Sequence, residues 1–152
     1  MTHDEIKTIL EKRMFGKIEE FSIINDEVAI RVPPRNLIEV CRYLRESELE
    51  FDHPRCISGV DRKDALEVVY HLCSIKKKHK ITVKVTLPKE DARVPSLYPV
   101  FKGADWHERE TAEMVGILFE GHPDPRHLLL MENFKGYPLR KDFVCHNNEE
   151  KG

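Results

Sequence analysis

Glutamine is missing from all 152 residues, and cysteine is scarce, with four at Cys41, Cys56, Cys73 and Cys145. None of these forms a C-x-x-C pair, so neither a disulfide framework nor a cysteine cage for zinc or an iron–sulfur cluster is expected. The thiols read as reduced. The seven glycines never fall into G-x-G-x-x-G or G-x-x-x-x-G-K, which removes the common phosphate cradles. No apolar run approaches the roughly 18 residues needed to cross a bilayer. The opening MTHDEIK is polar and acidic, unlike a secretory signal. An excess of positive charge is absent too: 25 Lys and Arg face 27 Asp and Glu, for a net charge of -2, which argues against a nucleic-acid partner. Low amide content beside abundant Lys, Arg and Glu is a thermophile tendency.

What is present suits one soluble α+β domain, with 40% hydrophobic and 34% charged residues. Ile6, Ile9, Leu10 and Met14 predict a helix over residues 3–14, stopped by Gly16. FSII and EVAIRV flank Asn25-Asp26 as a tight hairpin. Leu37, Val40, Cys41 and Leu44 give a second helix, followed by a short strand around 55–60. ALEVVYHLCSI and ITVKVTL then form a hairpin with the lysine-rich tip KKKHK. After Pro88 the texture changes, with prolines and little periodicity. The pattern predicts an α+β core over 1–87, a small mixed sheet with helices packed on it. An irregular arm over 88–152 would follow, carrying one short helix at 105–115.

The stretch ERETAEMVGILFEGHPDPRH, residues 108–127, concentrates the chemistry-bearing side chains. Asp105 and Glu108 are spaced for a capping box, and Gly116 for a helix stop. On the helical wheel Trp106, Arg109, Glu110 and Glu113 share a side, with Arg109 and Glu113 one turn apart and able to pair. An aromatic ringed by charge of both signs suits a protein contact. Glutamates beside arginines stay ionised, a poor setting for proton donation, and no nucleophile stands beside a base. A metal-dependent enzyme using His107, His122, His127 and nearby glutamates is the alternative. Against it, Thr111 replaces the second histidine of H-E-x-x-H, and two prolines separate His122 from His127.

Several segments together resemble a known family. They are ERE at 108–110, VGILFEGHPDPRHLL at 115–129 and GYPLRKDF at 136–143, preceded by GVD at 59–61 and EVVYHLCSI at 67–75. They look like the 30 kDa subunit of respiratory complex I, the C-type subunit of NADH-quinone oxidoreductase. ETAEM at 110–114 is more like the homologues in archaeal membrane-bound nickel–iron hydrogenases and sulfane-sulfur reductases. The resemblance implies a non-catalytic assembly subunit in the hydrophilic arm of an ion-translocating oxidoreductase, with no cofactor of its own. It would sit at the cytoplasmic side of the membrane, attached through partners. Those would be a large subunit homologous to the nickel–iron hydrogenase catalytic subunit and a small iron–sulfur subunit leading to the membrane arm. Iron–sulfur clusters, and a nickel–iron or quinone site, would lie in these partners. The implied docking or bracing set is Trp106, Glu108, Arg109, Glu110, Glu113, Gly116, Gly121, His122, Pro123 and Arg126. Gly136, Pro138, Leu139, Arg140, Lys141 and Asp142 complete it.

Overall fold

A computed structural model describes residues 1–130 and 134–144, so the end of the expected arm, 145–152 with Cys145, lies outside the described residues. Thr2 opens α1 (His3–Arg13) with a reciprocal capping box to Glu5, and Ile6 and Leu10 bury one stripe of the helix. Strands β1 (Glu20–Ile24) and β2 (Glu27–Arg31) follow as a hairpin. Asn25 and Asp26 both take positive φ, 50° and 63°, the requirement of a two-residue turn whose twist matches its strands. Helix α2 (Leu37–Glu46) buries Leu37, Val40, Cys41 and Leu44. Strands β3 (His53–Asp61), β4 (Ala65–Ser74) and β5 (His79–Pro88) complete a five-stranded sheet in the order β1-β2-β5-β4-β3. Only the β2–β5 pair is parallel. The lysine-rich tip is a turn braced by Lys77 on the Glu48 carbonyl and Lys76 near Glu50.

Strand parity divides the two faces. Ile30, Val83, Tyr70 and Ile57 lie in one cross-strand row and enter the core with the helices. The adjacent row, Ala29, Thr82, His71 and Cys56, faces the other way and lies outside the apolar core cluster. Two charged ladders cross that open face: Arg62–Glu67–Arg31–Glu20, and Arg55–Glu27–Lys80.

The apolar core does not stop where the sequence texture changes at residue 87. Val94, Leu97, Val100, Phe101, Ala104, Val115, Ile117 and Phe119 belong to the same buried cluster as Ile6 and Leu44. Short strands β6 (Arg93–Pro95) and β7 (Leu118–Glu120) pair in parallel, and α3 (Ala104–Val115) lies between them in sequence. The segment that reads as irregular is therefore built into the domain as far as Phe119. Its apolar residues fill gaps singly instead of lining one periodic face, so no pattern announces them.

Gly59 sets how closely α3 approaches β3. A Cβ there would stand 2.9 Å from both Thr111 Cγ2 and Val115 Cγ2. The bare backbone lets α3 sit down, and Thr111 Oγ1 donates to the Ile57 carbonyl at 3.2 Å. Gly59→Ala is expected to destabilise the fold by about 1–3 kcal/mol through this overpacking. Thermal denaturation followed by far-UV circular dichroism measures it, and an unchanged midpoint would show that α3 has room to spare.

Candidate functional site

The charged stretch occupies α3 and the arm that follows β7. Helix α3 begins at Gly103 with no side-chain cap, so the expected Asp105–Glu108 capping box does not form. Glu108 turns inward instead. It is fully buried, accepts from Ser96 Oγ and from the Leu97 amide, both at 2.6 Å, and so ties the loop before α3 to the helix. Burial pushes its carboxyl upward despite these bonds and the neighbouring His122. The expectation that every glutamate here stays readily ionised fails at Glu108 because the residue is desolvated. A raised carboxyl is a proton donor in principle, but with no exposure this one meets no substrate.

Arg109 and Glu113 do not pair across their turn of helix. Each takes the backbone of the same arm segment. Arg109 donates to the carbonyls of Arg126 and His127, at 3.0 and 3.3 Å. Glu113, 3% exposed, accepts the amides of Leu128, Leu129 and Leu130 at 3.0, 2.7 and 3.2 Å. Peptide groups outcompete the ion pair because an extended segment has few other partners for them. A hydrogen bond to a charged group contributes about 1.5–3 kcal/mol, against a few tenths for an exposed pair of side chains one turn apart.

Two further anchors hold the arm. At the C-terminus of α3, Gly116 takes φ 80° as the left-handed cap, and its N–H reaches the Ala112 carbonyl. Arg140 donates to the Val115 and Gly116 carbonyls at 2.6 and 3.3 Å and stacks on Tyr137, 4.7 Å from the ring centre. This places a cation on the negative end of the helix. Asp61, at the end of β3, accepts the Lys141 and Lys63 amides, both at 2.9 Å, and Lys89 Nζ at 3.2 Å. The Lys141 and Lys63 amides, and then the Lys89 ammonium, hold its carboxyl down at about 2. In the sequence Asp61 is visible only as part of a motif, since its arm partner lies 80 positions away.

His122 is built into the first arm turn. Its Nδ1 accepts the Asp124 amide at 3.0 Å, so Nε2 carries the proton and faces Asp105. Arg126 pairs with Asp124 at 2.8 Å. Among the described residues, no group of three or more His, Cys, Asp or Glu is arranged to hold a metal. The metal-enzyme alternative from His107, His122 and His127 therefore finds no geometric support. No helix among these residues is long and apolar enough to cross a membrane.

The docking set thus divides. Glu108, Arg109, Glu113, Gly116, His122 and Arg140 brace the arm from within. Glu110, Gly121, Pro123, Gly136, Leu139, Lys141 and Asp142 are exposed, and Pro138 is half-buried. Trp106, Leu129, Leu139 and Val144 present 65%, 61%, 63% and 65% of their surface to solvent. Leu129 and Val144 escape sequence reasoning, because an apolar residue in an irregular segment carries no periodic signal.

A titration tests the Asp61 anchor. Its folded carboxyl lies below the ordinary value, so its contribution is complete above about pH 4 and is lost as pH falls through about 2. The Lys141 amide resonance should shift with that midpoint in wild type and not in Asp61→Asn. A Lys141 amide that titrates near 4 would show Asp61 to be free of the arm.

The chain matches the family described as the respiratory-chain NADH dehydrogenase 30 kDa subunit over residues 30–149. It is 44% identical over 143 residues to the C-type subunit of NADH-quinone oxidoreductase from Mesorhizobium japonicum, covering 91% of this chain and 71% of that protein. With a C-type subunit of the same enzyme from Rhizobium meliloti it shares 41% over 140 residues, covering 90% and 76%. A chain of the membrane-bound sulfane sulfur reductase, an archaeal respiratory membrane complex, superposes with a TM-score of 0.78 at 28% identity, covering 93% of this chain and 84% of that one. The trypsin-resistant fragment of Nqo5 superposes at 0.68 with 25% identity, covering 78% and 98%. A family match over residues 30–149, with identity of 44% and 41% to curated members across 91% and 90% of its length, makes this chain a member of the 30 kDa subunit family of respiratory-chain NADH dehydrogenase.

Proposed function

We propose that this chain is a non-catalytic assembly subunit in the hydrophilic arm of a complex I-like, membrane-bound oxidoreductase. In this reading α3 and the arm form its docking face. The partner would be the large subunit homologous to the nickel–iron hydrogenase catalytic subunit, with the small iron–sulfur subunit beside it. Electrons would pass through clusters in those partners, and the chain would reach the cytoplasmic side of the membrane through them. NADH and quinone, or sulfane sulfur, are both compatible with the relatives' names.

One observation carries the reading. Arg109, Glu113 and Arg140 of the signature are spent on holding the arm, while Trp106, Leu118, Leu129 and Leu139 stand exposed. Ordering an extended segment costs backbone entropy, about 1–2 kcal/mol per residue. A fold that holds such a segment and leaves Trp106, Leu129 and Leu139 in solvent is arranged to cover them with another surface.

Truncation after Gly121 separates folding from docking, because Phe119 is the last residue of the apolar core among the described residues. The truncated chain should keep a cooperative melt yet fail to co-purify with the other subunits from the native membrane. Glu113→Ala should leave the core folded, expose residues 122–130 to protease and reduce incorporation. A truncated chain that assembles and supports full activity overturns the docking role.

A further inference from the structure

The bulge in β3 places a cation in the lining of two cavities. The β3–β4 register slips between Pro54 and Cys56, which leaves Arg55 as the extra residue. Bulges re-aim a side chain and recur beside binding sites. Arg55 lines a cavity of about 370 Å³ on the open sheet face, floored by Ala29, Val69 and Thr82. It also lines a second, of about 370 Å³, at the amino-terminal end of α3 beside Gly103. Arg55 is the residue that the two linings share.

The walls of both cavities are basic. Arg55, Arg62 and Lys84 line the first cavity, and Arg45, Arg55 and Lys102 the second. Only two carboxylates, Glu27 and Asp52, line either one. A chain of net charge -2 therefore carries a local excess of positive charge in the strip of residues that lines these two cavities. Glu27 lies 3.7 Å from Arg55, and Glu67 takes Arg62 at 3.1 Å. Lys84 and Lys102 have no ion-pair partner among the described residues. Each cavity thus holds one uncommitted ammonium group, and Arg55 lines both.

We infer that this strip is a second docking surface, and that its occupant is an extended acidic segment of another subunit. The inference rests on the reading of this chain as part of an assembly but uses a surface separate from α3's arm-holding side. Two cavities of about 370 Å³ that share a lining residue exceed what a single ion fills, and they suit several residues of chain. Carboxylates spaced along such a segment would meet Lys102, Arg55 and Lys84 in turn, with the arginine able to take one bidentately. The small floor residues let a backbone lie close to the sheet.

The test uses the intact complex purified from native membranes. Amine acylation followed by mass spectrometry should find Lys84 and Lys102 at least tenfold less reactive in the complex than in the free chain. Lys76 on the hairpin tip, whose side chain is 77% exposed, serves as the unprotected reference. Carbodiimide coupling should join Lys84 or Lys102 to an Asp or Glu of another subunit, and Arg55→Glu should make that subunit's retention more salt-sensitive. If both lysines react as fast as in the free chain while residues 122–130 are protected from protease, the acidic-segment proposal fails and the arm-docking reading stands. If neither region is protected, both fail. Protection abolished by nuclease, or restored only by anionic phospholipid vesicles, would identify a different class of partner and overturn the proposal.

Discussion

Peptide groups in an extended segment must find partners, and in this chain α3 supplies them with side chains. Glu113 gathers three consecutive amides, Arg109 takes the two carbonyls just before them, and Arg140 returns from the arm to the carbonyls at the end of the same helix. Polarity is matched at every point, with the carboxylate facing N–H groups and the guanidinium groups facing oxygens. The helix can do this only because it is itself fixed. Gly59 lets it lie against β3, Thr111 bonds the strand's backbone, and buried Glu108 ties in the loop at 96–97. Each arm contact therefore traces back to the sheet.

The same charged residue types serve opposite ends according to their solvent. Glu108 is desolvated and its carboxyl rises. Asp61 accepts two backbone amides and an ammonium, and its carboxyl falls to about 2. Glu108 holds the loop at 96–97, and Asp61 holds the arm at Lys141. A perturbed carboxyl marks a reactive site only where substrate can arrive, and here one is sealed beneath α3 and the other is saturated by the arm.

Much of the frame is legible from periodicity. The amphipathic stripes of α1 and α2, the Asn25-Asp26 turn and the β4–β5 hairpin appear where alternation and helical spacing put them. The start of α3 misleads because Asp105 and Glu108 fit a local capping pattern, while Ser96 and Leu97 offer Glu108 a better, non-local pair of donors. The Arg109–Glu113 pair fails for the same reason. A helical wheel knows its own neighbours and nothing of a segment folded across it. The core's extension past residue 87 is hidden because Val94, Leu97 and Phe101 fill it one at a time. The Gly59–Val60–Asp61 motif is visible, but its reason is not, since α3 and Lys141 meet it from far along the chain.

The arrangement also explains how so many titratable residues can lie close in sequence without gathering into a metal-binding cluster among the described residues. Brought together, these groups would make a reactive pocket, but the fold instead distributes them singly along a backbone. Glu113 meets amides, Arg109 meets carbonyls, and His122 is occupied at Nδ1 by the Asp124 amide. Once a side chain is committed to fixing the shape of a surface, it is poorly available for chemistry, because moving it would release that surface. What the commitment yields is an arm held in place with Trp106, Leu129 and Leu139 exposed, beside a sheet face edged by cations. A partner meeting a pre-ordered segment does not bear the entropy of ordering it, and this is where the polar signature of the arm has its effect.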